Sequence, residues 1–222
     1  MTVATNWNEV SLKKYEKLIE LLKEESIQDD LDRSIEIYSI LSDDPDNASE
    51  MLYNMSISDL SVELNKIQFV TTPYKAKAPE TEYIIDGKKY RVQLNLNEMT
   101  AAQYIDFQNF YKNYEANLKY IFLCFLIPNG CKYNEGYDVM QLADELYDKI
   151  PITVIMDIMI FFCQLSNALT QATLISSIRE AKKMLRKEKD QKKRYQMKRA
   201  IVKARQALNL LRSETGFAGL IE

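Results

Sequence analysis

The chain has 222 residues, 46% of them apolar, enough to bury the core of one substantial domain or of a smaller domain with an appendage. It carries no histidine and only five glycines and five prolines. That removes the commonest general base and zinc ligand, and leaves little material for glycine-cradled phosphate sites or turn-dense β-sandwiches. The formal net charge of −3 conceals an acidic body and a basic arm: residues 179–212 hold 14 Lys and Arg against 3 Asp and Glu, and residues 1–178 hold 15 against 27.

Periodicity predicts a mainly α protein, a helical bundle with one inserted β-hairpin over about residues 82–96 and a long basic C-terminal helix. Three regions follow: a helical region 1–70, a hairpin and helical core 71–175, and a basic helical arm with an apolar hook 176–222. The first helix is capped by Ser11 and carries Leu12, Tyr15, Leu18, Ile19 and Leu22 on one face, with Trp7 packing back on it. The next covers residues 30–41 with Leu31, Ile35, Tyr38 and Leu41 inward, and stops before Pro45. A short helix over 48–53 follows, then one capped by Ser58 or Asp59 with Leu60, Leu64 and Ile67. Short amphipathic helices of this kind bury their stripes only against one another or against later elements.

Residues 71–79 read as an extended connector. Asp86-Gly87, between Glu82-Tyr83-Ile84-Ile85 and the alternation of Tyr90, Val92, Leu94 and Leu96 with Lys89, Arg91, Gln93 and Asn95, is a strong hairpin signal. The apolar face of its second strand needs helices or another chain to cover it. Thr100 and Gln103 form a capping box opening an aromatic-rich helical stretch that reaches Ile127, as one helix or a pair. Pro128-Asn129-Gly130 ends it, and Asp138 caps a helix with Val139, Leu142, Leu146 and Tyr147 aligned. From Ile152 neither glycine nor proline occurs until Gly216, which allows one very long helix or two broken near Ser166-Asn167 or Ser176-Ser177.

The chemistry-bearing templates fail on content. GxGxxG and GxxxxGK[ST] are absent, and Asp29-Asp30-Asp32 and Asp43-Asp44-Asp46 read as caps and turns rather than as cation sites, lacking the central Gly and closing Glu of an EF-hand. Cys124, Cys131 and Cys163 are an odd number without a CxxC pair and read as core thiols of a reducing compartment. No catalytic residue, cofactor, metal or enzymatic activity is expected. The apolar run 150–165 contains Pro151, Asp157 and Gln164 and is shorter than a membrane span, so no membrane partner is expected.

Partner binding is the remaining class. The aromatics of the stretch after Thr100 fall on more than one face, which reads first as a core helix or pair of helices buried on several sides and second as one side held for a partner; in that second reading it offers Tyr104, Phe107 and Tyr111, and the arm offers Lys182, Lys183, Arg186, Lys192, Lys193, Arg194, Lys198 and Arg199. The terminal segment 213–222 offers Phe217 and Leu220 as the apolar hook. Two readings of the arm stay open. As a solvated or protein-contacting helix it docks at its ends through Ile178, Met184, Leu185, Ile201, Leu208 and Leu211; as a nucleic-acid element its residues 179–212 neutralise phosphates.

Trp7, the Leu12-Lys13-Lys14-Tyr15 helix, the Asp-Gly hairpin with Tyr90-x-Val92-x-Leu94-x-Leu96, and Met99-Thr100-Ala101-Ala102-Gln103-Tyr104-Ile105-Asp106 occur in that order. This order resembles the tail assembly chaperone-like proteins that tailed bacteriophages encode beside their virion genes, over roughly residues 5–165. The Asn-, Tyr-, Lys- and Ile-rich composition is similar to that of phages of AT-rich gut bacteria such as Bacteroides. The resemblance implies a non-enzymatic assembly or structural protein whose partners are tail or neck components, acting in the host cytoplasm during assembly. The basic arm departs from the family's compact pattern and points instead toward a component retained in the virion, such as a ring or connector subunit, or a homo-oligomer bridged by the arm.

Overall fold

The computed structural model describes residues 1–24, 29–95 and 98–213, apart from the side chains at 114, 115, 163, 165–169 and 210–213. It is 65% helical with one small antiparallel sheet, which makes the chain mainly α with an inserted hairpin. Leu96, the side chains of Cys163 and Leu211, and the hook with Gly216, Phe217 and Leu220 lie outside the described residues.

Helix α1 (Leu12–Lys23) starts where the Ser11 hydroxyl accepts the Lys14 amide, and it buries Leu12, Leu18 and Leu21. Leu22, expected inward, is exposed, because Leu21 takes the inner position of that turn. Trp7 stands edge-on to Tyr15 and Phe69, with ring centroids 6.2 and 5.2 Å apart, and its indole N–H donates to the Thr72 carbonyl. Helix α2 (Asp30–Leu41) is capped by Asp29, which accepts the Leu31 and Asp32 amides. Ile35, Tyr38 and Leu41 are buried, but Leu31, also expected inward, is 49% exposed.

Helix α3 (Pro45–Tyr53) places Pro45 in its first turn, where the missing amide costs nothing. Helix α4 (Ile57–Asn65) is capped by Ser56, whose hydroxyl accepts the Asp59 amide; Ser58 and Asp59 lie inside the helix rather than at its cap.

After the connector, β1 (Glu82–Ile85) and β2 (Lys88–Val92) pair antiparallel through Asp86 and Gly87, both at positive φ (50° and 72°), the geometry of a mirror-image turn. The second strand ends at Val92, short of the expected Leu96, and Gln93 turns inward to 5% exposure. Helix α5 (Ala101–Tyr111) carries the full capping box and α6 (Tyr114–Ile121) follows, so the aromatic stretch is two helices. A 3-10 turn over Phe122–Cys124 leads into β3 (Leu126–Pro128), which pairs with β2 in the order β1-β2-β3. Residues 126–127, expected in the helix, are therefore a strand that covers the hairpin edge. Tyr90 and Val92 are buried, so the apolar face of β2 is covered within the chain.

Helix α7 (Val139–Leu146) is capped by Asp138, and α8 (Ile152–Lys187) runs through both serine-containing sites where a break was considered. The break falls at residues 188–190. There Asp190 accepts the Lys192 and Lys193 amides at 2.7 and 3.2 Å and opens α9 (Gln191–Ser213). The basic segment is thus not one long helix but two that pack on each other, with Ile178, Ile201 and Leu208 buried and Leu174, Ile175, Ala181, Leu185 and Ala204 around them. Met184, expected at the docking end, is 56% exposed.

Packing divides the chain into two units, Met1–Met159 and a second from Ile160 on. Residue 70 falls inside the first unit because long-range bonds join its two sides: Trp7 to Thr72, Tyr147 to Glu16, and Thr153 to Asn8. The charge boundary at residue 179 falls inside the second unit.

Candidate interaction surfaces

The aromatic strip is built on α5. Gln103, 2% exposed, returns its side-chain oxygen to the Thr100 amide and donates its amide to the Cys124 carbonyl, which fixes the rotation of the helix. Asp106 accepts the Tyr133 hydroxyl at 3.0 Å on the same inner side. Phe107 then lies half-buried at the margin, with its ring edge-on to Phe125 at 5.1 Å and beside Tyr111 at 5.5 Å. Tyr104 and Tyr111, seven residues apart, are 55% and 48% exposed. Tyr104, Phe107 and Tyr111 stand together as one strip, with Phe107 as its foot and the two tyrosines as its exposed surface. Ile105, 56% exposed, and Ile84 of β1, 76% exposed, are large apolar side chains also presented to solvent.

Lys182, Lys183 and Arg186 on α8, and Lys192, Lys193, Arg194, Lys198 and Arg199 on α9, are all exposed. Among the described residues none of them has an ion-pair partner; Arg194 donates to the Glu188 carbonyl, and Arg199 lies 6.0 Å from the Tyr195 ring. The contrast with the first unit is chemical, since Lys13, Lys88, Lys119 and Lys149 there are paired with Asp148, Glu145, Asp144 and Asp86. Unpaired, hydrated cations on a helix surface retain their full attraction for an external anionic surface.

Two features were not legible in the sequence. The first is a groove of about 490 Å³ between α2, α4 and the turn after α4, with Leu31, Ile37, Ile57, Leu60, Leu64 and Ile67 supplying its apolar lining. Leu31 misses the core because it stands at this groove. The second is a set of tyrosine–carboxylate ties between distant elements: Tyr38 to Glu63, Tyr74 to Asp157, Tyr133 to Asp106 and Tyr147 to Glu16.

Asp157, 8% exposed on α8, accepts the Tyr74 hydroxyl at 3.1 Å and the Lys77 amide at 2.7 Å, which holds the connector in place. Burial pushes the Asp157 carboxyl above the usual range, and burial together with the Asp157 charge pushes Tyr74 up to about 12. Cys124 is buried and its thiol is pushed up to about 12, so it stays protonated and inert; Cys131 is likewise a free thiol. The acidic clusters serve local geometry: Asp29 caps α2, Asp43 accepts the Thr2 amide and hydroxyl, and Asp44 accepts from Asn47.

No protein-family model, curated protein or solved structure matches the chain. Among the described residues no helix is long and apolar enough to cross a membrane.

Proposed function

We propose that the chain is a non-enzymatic assembly or structural protein of a tailed bacteriophage, which engages tail or neck components through the α5 strip and an acidic protein surface through the cations of α8 and α9. The observation that carries this reading is the pair of exposed tyrosines, Tyr104 and Tyr111, on a helix whose inner side is locked by Gln103 and Phe107. A rigid aromatic anchor loses little conformational entropy on binding and buries a large apolar area, which is the usual chemistry of an interface hot spot. The phage context is supported by the resemblance of residues 5–165 to tail assembly chaperone-like proteins.

The test is capture of the co-encoded tail and neck proteins on the purified full-length chain. Wild type retains at least one of them, and the Tyr104→Ala/Tyr111→Ala variant loses about tenfold or more in affinity while keeping its helical circular dichroism. Equal capture by both forms would remove the strip from the interface.

A second reading is favoured by the unpaired cations alone. In it the arm binds nucleic acid, either packaged or replicating. Eight phosphate contacts would give a log–log salt slope of about −7. Binding that is absent or insensitive to salt rejects it.

A further inference from the structure

The outer face of α9 carries a pattern that packing within the helical pair does not use. Ile201, Ala204 and Leu208 face α8, while Tyr195, Arg199, Val202 and Gln206 fall on the opposite side at the i, i+4, i+7, i+11 spacing of a single stripe. Tyr195 is 63% and Val202 52% exposed, and Arg199 lies against the Tyr195 ring. Helix α9 holds eight Lys and Arg and no Asp or Glu. This is a helix with two apolar anchors about 10 Å apart, set in a wholly cationic surround.

The groove of the first unit has the complementary properties. Its lining from α4, Ile57, Leu60 and Leu64, also spans seven residues, hence about the same 10 Å. Ile57 is 87% exposed and Leu31 49% exposed, an open apolar floor rather than a closed core. Residues 29–65, which supply α2 to α4, hold ten Asp and Glu against the single base Arg33. Asp30, one helical turn before Ser34 of the groove lining, is exposed without an ion-pair partner among the described residues. An amphipathic helix seated in an apolar groove is a recurrent recognition mode, read as anchors at i, i+4 and i+7.

We infer that α9 of one chain docks in the α2/α4 groove of a second copy, with Tyr195 and Val202 on the apolar floor and the flanking Lys and Arg against the acidic helices. The inference rests on the reading of the arm as protein-binding, and it names the acidic surface that the arm meets. Groove and stripe are different patches, so the contact is head-to-tail. It closes into a ring if the rotation allows and otherwise extends as a chain. Apolar anchors set the register, and the charges speed encounter and make the contact salt-dependent.

The experiment is sedimentation velocity on the purified full-length chain over a concentration series, with no tail or neck protein present. Wild type self-associates, and the association weakens about tenfold or more when salt is raised from about 0.1 M to about 1 M, which shortens the screening length from about 10 to about 3 Å. Tyr195→Ser/Val202→Ser keeps every cation and removes both anchors; Ile57→Lys blocks the groove at an exposed position. Each variant alone loses about tenfold or more in association, and an equimolar mixture regains 1:1 dimers, since one chain keeps its groove and the other its stripe. A chain that stays monomeric at every concentration, self-association that survives both variants, or a mixture that fails to pair overturns the inference. Capture of a tail or neck protein by such a monomer would leave the proposed function standing without it.

Discussion

Asp157 shows how a single residue links sequence, fold and solution behaviour. The linkage has a definite sign. A carboxyl whose folded-state pKa lies above its unfolded value binds protons more tightly in the folded chain, so its contribution to stability is complete below the ordinary carboxylate range and is lost as pH rises through the folded value. Glu63 runs the other way: the Lys66 ammonium and the Tyr38 hydroxyl hold it below the usual range, so its contribution is present above that range and is lost as acid is added. Asp157→Asn removes the first effect alone. Urea unfolding at a series of pH values between about 4 and about 7 is expected to give a variant whose stability falls less with rising pH than that of wild type. Parallel pH profiles would contradict the assignment. Gln103 gives a second residue-scale prediction: Gln103→Ala strips the Cys124 carbonyl and the Thr100 amide of their partner, at a cost of about 1–3 kcal/mol in denaturant unfolding.

At the scale of elements, the turn between α8 and α9 is the most exposed to test. Asp190 caps α9, and Asp190→Ala is expected to cost the second unit about 1 kcal/mol, seen as faster amide exchange in the first turn of α9 and unchanged exchange in α1 to α7. The hairpin turn gives the parallel case. Gly87 at φ 72° has open space around a built Cβ, so Gly87→Val strains the backbone alone, at about 1–2 kcal/mol.

The elements also show what the sequence discloses. The bounds of α2, the capping box at Thr100 and the Asp-Gly turn are local chemistry, written in neighbouring residues, and were read directly. Strand β3 was not. Leu126 and Ile127 sit in a short apolar run that periodicity does not divide between helix and strand, and the partner that decides it, β2, is more than thirty residues upstream. Neither Gly nor Pro marks the break at 188–190; its one local signal is Asp190, set among lysines. Spacing alone turns Leu22 and Leu31 inward, and spacing does not say where a neighbouring helix stops. Tyr104, Phe107 and Tyr111 stand in the sequence among aromatics on more than one face of the stretch, which does not say which of them lies outward; the inward bonds of Gln103 and Asp106 decide it. The groove is not legible either, since it exists only once α2 and α4 stand side by side.

For the molecule as a whole, the segregation of charge is the organising fact. An acidic body and a basic helical pair in one chain make association through the charged surfaces dependent on ionic strength. The two surfaces differ in this respect: binding through Tyr104 and Tyr111 is expected to persist at about 1 M salt, and binding through α9 to weaken. Gradient sedimentation of a lysate of phage-infected cells, with this chain quantified by mass spectrometry in each fraction against the tail, neck and major virion proteins, is the direct test of the assembly role. The chain is expected to travel in fixed ratio with tail or neck intermediates or with the finished particle. Recovery only as free chain at the top of the gradient, with no tail or neck protein in proportion to it, would contradict it.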